Sequence, residues 1–112
     1  MPKSAKRAYS SHSKNAVALL GALIREARLE RGLTVQEVAD RAGISRGLLQ
    51  RIEKGDMQCG IGVVFEVAVI LKINLFDTDK KGLSDLASLT KLKLELLPKS
   101  IRKKTKEVHD EF

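Results

Sequence analysis

The sequence predicts an all-α protein: a compact five-helix bundle followed by a leucine-rich C-terminal extension. Apolar residues make up 43% of the 112-residue chain, which is enough for one packed domain. Aromatic residues make up only 4% and tryptophan is absent, so the core must be aliphatic, and this favours helices. Residues 34–55 add the third observation, because they read as two short helices joined by a tight turn.

Residues 34–55 carry start and stop signals for both of these helices. Thr34 is a good N-cap, and Glu37 three residues later completes a capping box. Gly43 suits the positive φ that the corner between the helices requires. Ser45 is then the N-cap of the second helix. The segment therefore predicts two short, strongly capped helices with a fixed corner.

The second of these helices has two different faces. Leu49 and Ile52 point inward, whereas four polar side chains point outward. These are Arg46, Gln50, Arg51 and Lys54. Guanidinium and amide groups on the open face of a short helix suit the major groove of DNA, where they can bind base edges. The alternative is an ordinary helical hairpin with a solvated polar face.

Apolar spacing predicts the other helices of the bundle. A first helix begins near Asn15 and ends at about Arg31, and residues 61–72 form a largely apolar fourth helix that must lie in the core. Asn74 caps a short fifth helix that carries Leu75 and Phe76.

The leucine-rich segment gives a mixed signal. Residues 83–90 favour a helix, because their leucines follow helical spacing. Residues 91–97 alternate between polar and apolar side chains, which is typical of a strand, so helix and strand both remain open there. Pro98 stops either element.

These observations divide the chain into four segments. Residues 1–14 form a basic disordered arm with a charge of +4, and residues 15–82 form the DNA-binding bundle. Residues 83–97 are a dimerisation or partner-binding segment, and residues 98–112 are a charged flexible tail. The arm is either a simple disordered terminus or a segment that follows DNA.

Composition also limits the classes of function. The net charge of +7 suits a polyanionic partner. The one cysteine, Cys59, cannot form an internal disulfide, which favours a reducing cytoplasm. No apolar run approaches the roughly 20 residues of a membrane span. His12 and His109 lie in the presumed tails, so we expect no metal site, no cofactor and no enzymatic activity.

From Leu20 to Leu75 the chain resembles Cro/repressor-type helix-turn-helix proteins, often called the XRE family. The resemblance lies in the runs IREARLERGLT, QEVADRAGISRGLLQRIEKG and VFEVAVIL. It implies a Cro/repressor-like fold and binding to an operator in double-stranded DNA. Three further runs are similar to HipB-type antitoxins, the small operon repressors paired with HipA-like kinases. They are RIEKGDMQCGIGVVFEVAVILKINLF, LELLPKSIRKK and the terminal DEF.

The resemblance implies roles for particular residues. The base-reading positions correspond to Ser45, Arg46, Gln50 and Arg51. Contacts to the DNA backbone are expected from Thr34, Gln36 and Lys54 and, in the basic arm, from Lys3, Lys6 and Arg7. Many relatives place a glutamine directly after the N-cap, where this chain has Val35. Arg28 and Glu53 occupy positions that form an internal salt bridge in relatives.

The sequence supports two main hypotheses about function and a third, less favoured one. The first is a homodimeric repressor in the bacterial cytoplasm, at the nucleoid, acting as the HipB-like component of a toxin–antitoxin operon. The second is an interaction module that mainly restrains a HipA-like kinase toxin. The third is an adaptor similar to eukaryotic bridging coactivators. The expected dimer or partner contacts are Phe76, Leu83, Leu86, Leu89, Leu92 and Phe112.

Overall fold

The fold is all-α, as predicted. The computed structural model describes residues 8–101 and 103, and no strand occurs within them. The helices are α1 (Ser11–Glu30), α2 (Val35–Ala42), α3 (Arg46–Glu53), α4 (Ile61–Ile70) and α5 (Lys80–Leu96). The chain divides into a first unit that ends at Leu75 and a second that begins at Phe76. The first unit therefore holds four helices, and the fifth is the leucine-rich segment.

The first helix starts earlier than predicted. α1 begins at Ser11 and not near Asn15, because the Ser10 side chain accepts a hydrogen bond from the Ser13 backbone N–H at 3.1 Å. This bond satisfies one of the N–H groups that a helix start leaves unpaired. Residues 11–14 were predicted as part of a disordered arm, and they are helical.

The core of the first unit is aliphatic and closely packed. Helix α2 packs on α3 and α4, and α1 packs on α3. Seven buried side chains form one cluster: Ile24, Val38, Ala39, Leu49, Ile52, Val67 and Leu71. Full burial of an aliphatic side chain of the size of valine or leucine stabilises the fold by about 1.5–3 kcal/mol. The inward positions predicted for Leu49 and Ile52 are confirmed.

The contact between α1 and α3 depends on a buried glycine. A Cβ atom at Gly21 would lie 2.5 Å from the backbone oxygen of Ile52 and 2.8 Å from that of Glu53. Both are backbone atoms, so they cannot give way as a flexible side chain would. Gly21 therefore lets α1 lie directly against the end of α3.

Helix α4 lies in the core on one side only. Val67 and Ala68 are buried as predicted, but Ile61 and Val69 are largely exposed. The prediction that the whole helix must lie in the core was wrong. An apolar sequence on all sides of a helix does not ensure that every side is covered.

The chain between α4 and α5 turns instead of forming the predicted short helix. α4 ends at Ile70, and Lys72 adopts a positive φ of 60°. No helix starts at Asn74, and Asp77 also adopts a positive φ, of 56°. Such values interrupt a right-handed helix. The next helix starts only after Asp79, which accepts a hydrogen bond from a backbone N–H in its first turn.

Helix α5 settles the ambiguity in the leucine-rich segment. It continues to Leu96, so residues 91–96 are helical and the strand alternative was wrong. None of its residues is buried: the exposed fraction of its leucines ranges from 44% at Leu83 to 87% at Leu96. Within the described residues, no helix has the length and apolar character to cross a membrane.

Candidate nucleic-acid interface

The outer face of α3 is polar and open. Arg46, Gln50, Arg51 and the C-cap residue Lys54 are all exposed, as the sequence predicted. The Ser45 side chain accepts a hydrogen bond from the backbone N–H of Leu48 at 3.0 Å, so its oxygen is used as a helix cap. Two of the four exposed side chains end in guanidinium groups, which can form bidentate hydrogen bonds with guanine.

The start of α2 has the predicted capping box. The Thr34 N–H donates to the Glu37 carboxylate at 2.8 Å, and the Glu37 N–H donates to the Thr34 hydroxyl oxygen at 3.0 Å. Hydrogen bonds from the backbone and side chain of Thr34 hold the pKa of Glu37 below its ordinary value of 4.5. The corner after α2 also has the predicted geometry, because Gly43 adopts a positive φ of 69°.

A surface depression brings the starts of α2 and α3 together. Thr34 and Gln36 line it from α2, and Arg46 lines it from α3. The Gln36 amide donates to the Asp40 carboxylate at 2.8 Å, within the same helix. A contact from this amide to a DNA phosphate would first have to break that bond. The backbone N–H groups at the start of α2 offer a second kind of phosphate donor.

A second depression adds a residue that the sequence analysis missed. It is lined by Gln50 and Lys54 from α3 and by Arg25 from α1. Arg25 is exposed and lies one helical turn before Arg28. A spacing of three residues places both side chains on the same face of α1. This spacing could have identified Arg25 from the sequence. The cationic surface therefore extends from α3 onto α1.

A buried ion pair fixes α3 against α1. Arg28 Nε donates to Glu53 Oε2 at 2.6 Å, Nη2 donates to Oε1 at 3.0 Å, and Nη1 donates to the Leu33 carbonyl at 2.9 Å. The two side chains are only 9% and 6% exposed. The hydrogen bond with Glu53 raises the pKa of Arg28 despite the opposing effect of burial. The predicted ion pair is present, and both charges belong to the scaffold.

Arg51 has a partner that the sequence analysis did not identify. Its Nε donates to Asp56 Oδ2 at 2.8 Å, and Asp56 Oδ1 accepts the Gln58 N–H at 2.8 Å. The hydrogen bond from Arg51 holds the pKa of Asp56 below its ordinary value of 3.8. This bond uses only Nε, so the two terminal NH₂ groups of Arg51 can still serve an external acceptor. Asp56 thus orients the guanidinium at the end of α3.

The family comparison covers the segment that carries these features. Residues 24–77 match the model of the family described as Helix-turn-helix. They form a helix-turn-helix domain. Its arrangement supports the resemblance to Cro/repressor-type proteins, and members of the family are DNA-binding regulators that are generally not enzymes. No curated protein matches the chain.

Some predicted contacts lie outside the first unit or outside the described residues. Lys3, Lys6, Arg7 and Phe112 lie outside the described residues. Phe76, Leu83, Leu86, Leu89 and Leu92 lie in the second unit, where all five are exposed.

The single cysteine of the helix-turn-helix domain belongs to its scaffold. Cys59, just before α4, is half-buried against the core, and burial raises the pKa of its thiol above the ordinary value of 9.0. Among the residues that the structure describes, no group of histidine, cysteine and acidic side chains could hold a metal ion.

Proposed function

We propose that the chain is a sequence-specific DNA-binding repressor that acts as a homodimer. The observation that carries this proposal is the exposed polar face of α3, a short capped helix that is locked to α1 through Glu53 and Arg28. A rigid helix with guanidinium and amide groups on its open side fits the major groove. DNA binding also requires the compartment that holds the chromosome, which we take to be the bacterial cytoplasm.

The proposed contacts divide into base-reading and backbone-positioning groups. Arg46, near the start of α3, donates two hydrogen bonds to a guanine, and Gln50 pairs with adenine N6 and N7. Ser45 contributes from the N-cap. Arg51, oriented by Asp56, offers its two terminal NH₂ groups to a base or a phosphate. The start of α2, just after the N-cap Thr34, binds a phosphate through backbone N–H groups that the capping box does not use.

The cations around these groups position the domain on the DNA backbone. Lys54 and Arg25 line one depression with Gln50, so they lie beside the base-reading face. Lysine and arginine side chains next to such a face bind phosphates and fix the register without reading sequence. The amide of Gln36 joins this group once it leaves Asp40. Lys3, Lys6 and Arg7 of the basic arm are proposed to add sequence-independent attraction.

A dimer follows from the small area that one recognition helix covers. Two copies reach half-sites about 34 Å apart on one face of the duplex. Helix α5 offers the apolar surface for such a dimer, because leucines recur along it and none of its residues is buried. Phe76, which is 61% exposed in the same unit, and Phe112 are the remaining proposed contacts.

The helical form of α5 arranges its leucines in two ridges. Leu89, Leu92 and Leu96 recur at i, i+3 and i+7, so they share one side of the helix. Leu83, Leu86 and Leu94 form the second ridge on a neighbouring side of the helix. Leu94 belongs to it because it lies about three turns after Leu83. We propose that one ridge pairs with α5 of a second copy. The other leaves apolar surface for a different partner.

A finer proposal concerns the biological setting. The similarity of residues 51–76 and of the C-terminal runs to HipB-type antitoxins suggests an autoregulated toxin–antitoxin operon. Under the alternative, the second ridge of α5 binds a HipA-like kinase, and the chain mainly restrains that kinase, with DNA binding secondary. Co-purification of such a kinase, lost on deletion of residues 98–112, would support that alternative.

Selection from a random duplex library, followed by binding measurements on the selected site, tests the DNA-binding function. Arg46→Ala should weaken binding to the selected duplex by about 1–3 kcal/mol and relax the preference at one base pair per half-site. Arg41→Ala is the matched control: it removes the same charge from an exposed position that lines neither depression. Equal weakening on selected and scrambled duplexes would contradict the base-reading role of Arg46.

A further inference from the structure

Gly47 is a glycine that the fold does not need. It is the second residue of α3 and is exposed, and a Cβ atom built on it would meet no heavy atom within 4 Å. Its φ is not positive, so an alanine could adopt the same backbone. Glycine stabilises a helix less than alanine does. Glycine at this position therefore makes the helix less stable than alanine would, and no contact within the domain requires it.

The other glycines near the motif have evident structural reasons. Gly21 prevents a clash with α3, whereas Gly32 and Gly43 adopt positive φ values at helix ends. Neither reason applies to Gly47. Gly62 in α4 has equally open surroundings, but only Gly47 lies on the polar face of α3, where a missing side chain can matter to a partner outside the domain.

Gly47 lies in the middle of the polar face of α3. Arg46 precedes it, and Gln50 and Arg51 follow at i+3 and i+4, where a helix places neighbours on one face. Two guanidinium side chains and one amide therefore surround a position where the backbone is bare. The face has a gap where the helix could come closest to a flat partner.

We propose that Gly47 sets the depth at which α3 enters the major groove, and that it does so for the benefit of Gln50. This inference rests on the proposed DNA-binding function. A side chain at residue 47 would meet the base edges first and hold the helix away from them. Hydrogen bonds need heavy-atom distances of about 2.7–3.2 Å, so a displacement of the helix by about one methyl group breaks them.

Gln50 is the residue most sensitive to this displacement. Its amide lies on a stem of two methylene groups, whereas the arginines have longer stems that can extend to restore contact. The deep position of α3 therefore makes the adenine contact of Gln50 possible. Gly47 is thus a specificity-determining position, and it acts through the absence of a side chain.

The test compares Gly47→Ala with Gly62→Ala. Gly62 is the second residue of α4, is exposed, and likewise has no heavy atom within 4 Å of a Cβ position. Both variants should unfold at or above the wild-type temperature, because alanine favours the helix. Only Gly47→Ala should weaken binding to the selected duplex, at least about tenfold. Its affinity for scrambled duplex should stay near that of the wild type.

A variant cycle shows whether the effect acts through Gln50. In the background of Gln50→Ala, the change Gly47→Ala should reduce affinity less than twofold, because the contact that it disrupts is already absent. Wild-type affinity of Gly47→Ala for the selected duplex, or full additivity with Gln50→Ala, would overturn the inference but leave the proposed function intact. A wild-type chain that prefers no duplex would overturn both.

Discussion

The two units of the molecule use their leucines in opposite ways. In the first unit, Leu49 has no exposed surface and lies in a cluster with residues from α1, α2 and α4. In the second unit, Leu89 is 50% exposed, and α5 has no buried residue at all. The first unit therefore has a core of its own, whereas α5 carries apolar surface that its own fold does not cover.

One ion pair from each unit shows the same contrast. Arg28 and Glu53 are nearly buried and joined by two hydrogen bonds. Lys81 and Asp85 on α5 are 84% and 69% exposed, and their charged atoms lie 3.5 Å apart. The first unit is thus stabilised by its internal contacts. Among the described residues of the second unit, α5 is the one helix, and an isolated helix of this length is marginal in water.

The largest effect should come from a leucine truncation made once in each unit. Leu49→Ala should lower the free energy of unfolding by about 2–5 kcal/mol, because it leaves a cavity in the core. Leu89→Ala removes the same atoms from an exposed position and should change it by about 0.5 kcal/mol or less. Denaturant titration at low protein concentration, where association contributes little, measures both changes.

Sedimentation of the same two variants separates folding from association. Leu89→Ala should shift the monomer–dimer equilibrium toward monomer, because it removes apolar surface from one ridge of α5. If Leu89→Ala lowered the free energy of unfolding as much as Leu49→Ala, α5 would belong to a shared core. That result would contradict the difference between the leucines of the two units.

A smaller effect should distinguish the two ion pairs. Glu53→Gln leaves the guanidinium of Arg28 nearly buried without a counter-charge and should destabilise the first unit by about 3 kcal/mol. Asp85→Asn acts on an exposed pair and should change stability by about 0.5 kcal/mol or less. Thermal unfolding followed by circular dichroism compares them directly. Equal shifts in the two variants would mean that burial does not set the strength of these pairs.

The smallest effect should appear on acidification and should concern the helix-turn-helix domain. The pKa values of Glu37 and Asp56 lie below their ordinary values of 4.5 and 3.8, so both carboxylates are more readily ionised in the folded chain. Their contribution is fully present above those ordinary values and is lost as the pH falls through the lower pKa values of the folded state. The thermal midpoint should therefore fall in that range.

Glu37→Gln is the matched variant for the acid dependence. It keeps the shape of the capping side chain but removes its titration, so its midpoint should fall less steeply with acid than that of the wild type. Parallel curves for the two proteins would show that the capping box does not contribute to acid sensitivity.

The sequence was most informative where the deciding interactions are local. The capping box of Thr34 and Glu37, the N-cap Ser45 and the positive φ of Gly43 each depend on residues within one turn. Side-chain chemistry alone determines which residue can take such a position. The exposed polar side of α3 followed from the same short-range pattern.

Predictions failed where several local signals competed. Asn74 and Asp79 can both cap a helix, and only Asp79 does so, because the chain turns between them at Asp77. The alternation in residues 91–97 resembles a strand, but a strand is stable only beside another strand, and the described residues contain none that could pair with it. The pairing of Arg51 with Asp56 spans five residues across a helix end, outside the regular i, i+4 pattern.

Cys59 makes the end of α3 open to chemical measurement. It is the only cysteine in the chain, and its raised pKa keeps the thiol protonated at neutral pH, where a thiol reacts slowly. The half-buried thiol is only partly shielded, and transient opening of the segment between α3 and α4 should speed its modification by a thiol reagent. The labelling rate therefore reports on that opening, and under the proposed function duplex DNA bound to α3 should lower it.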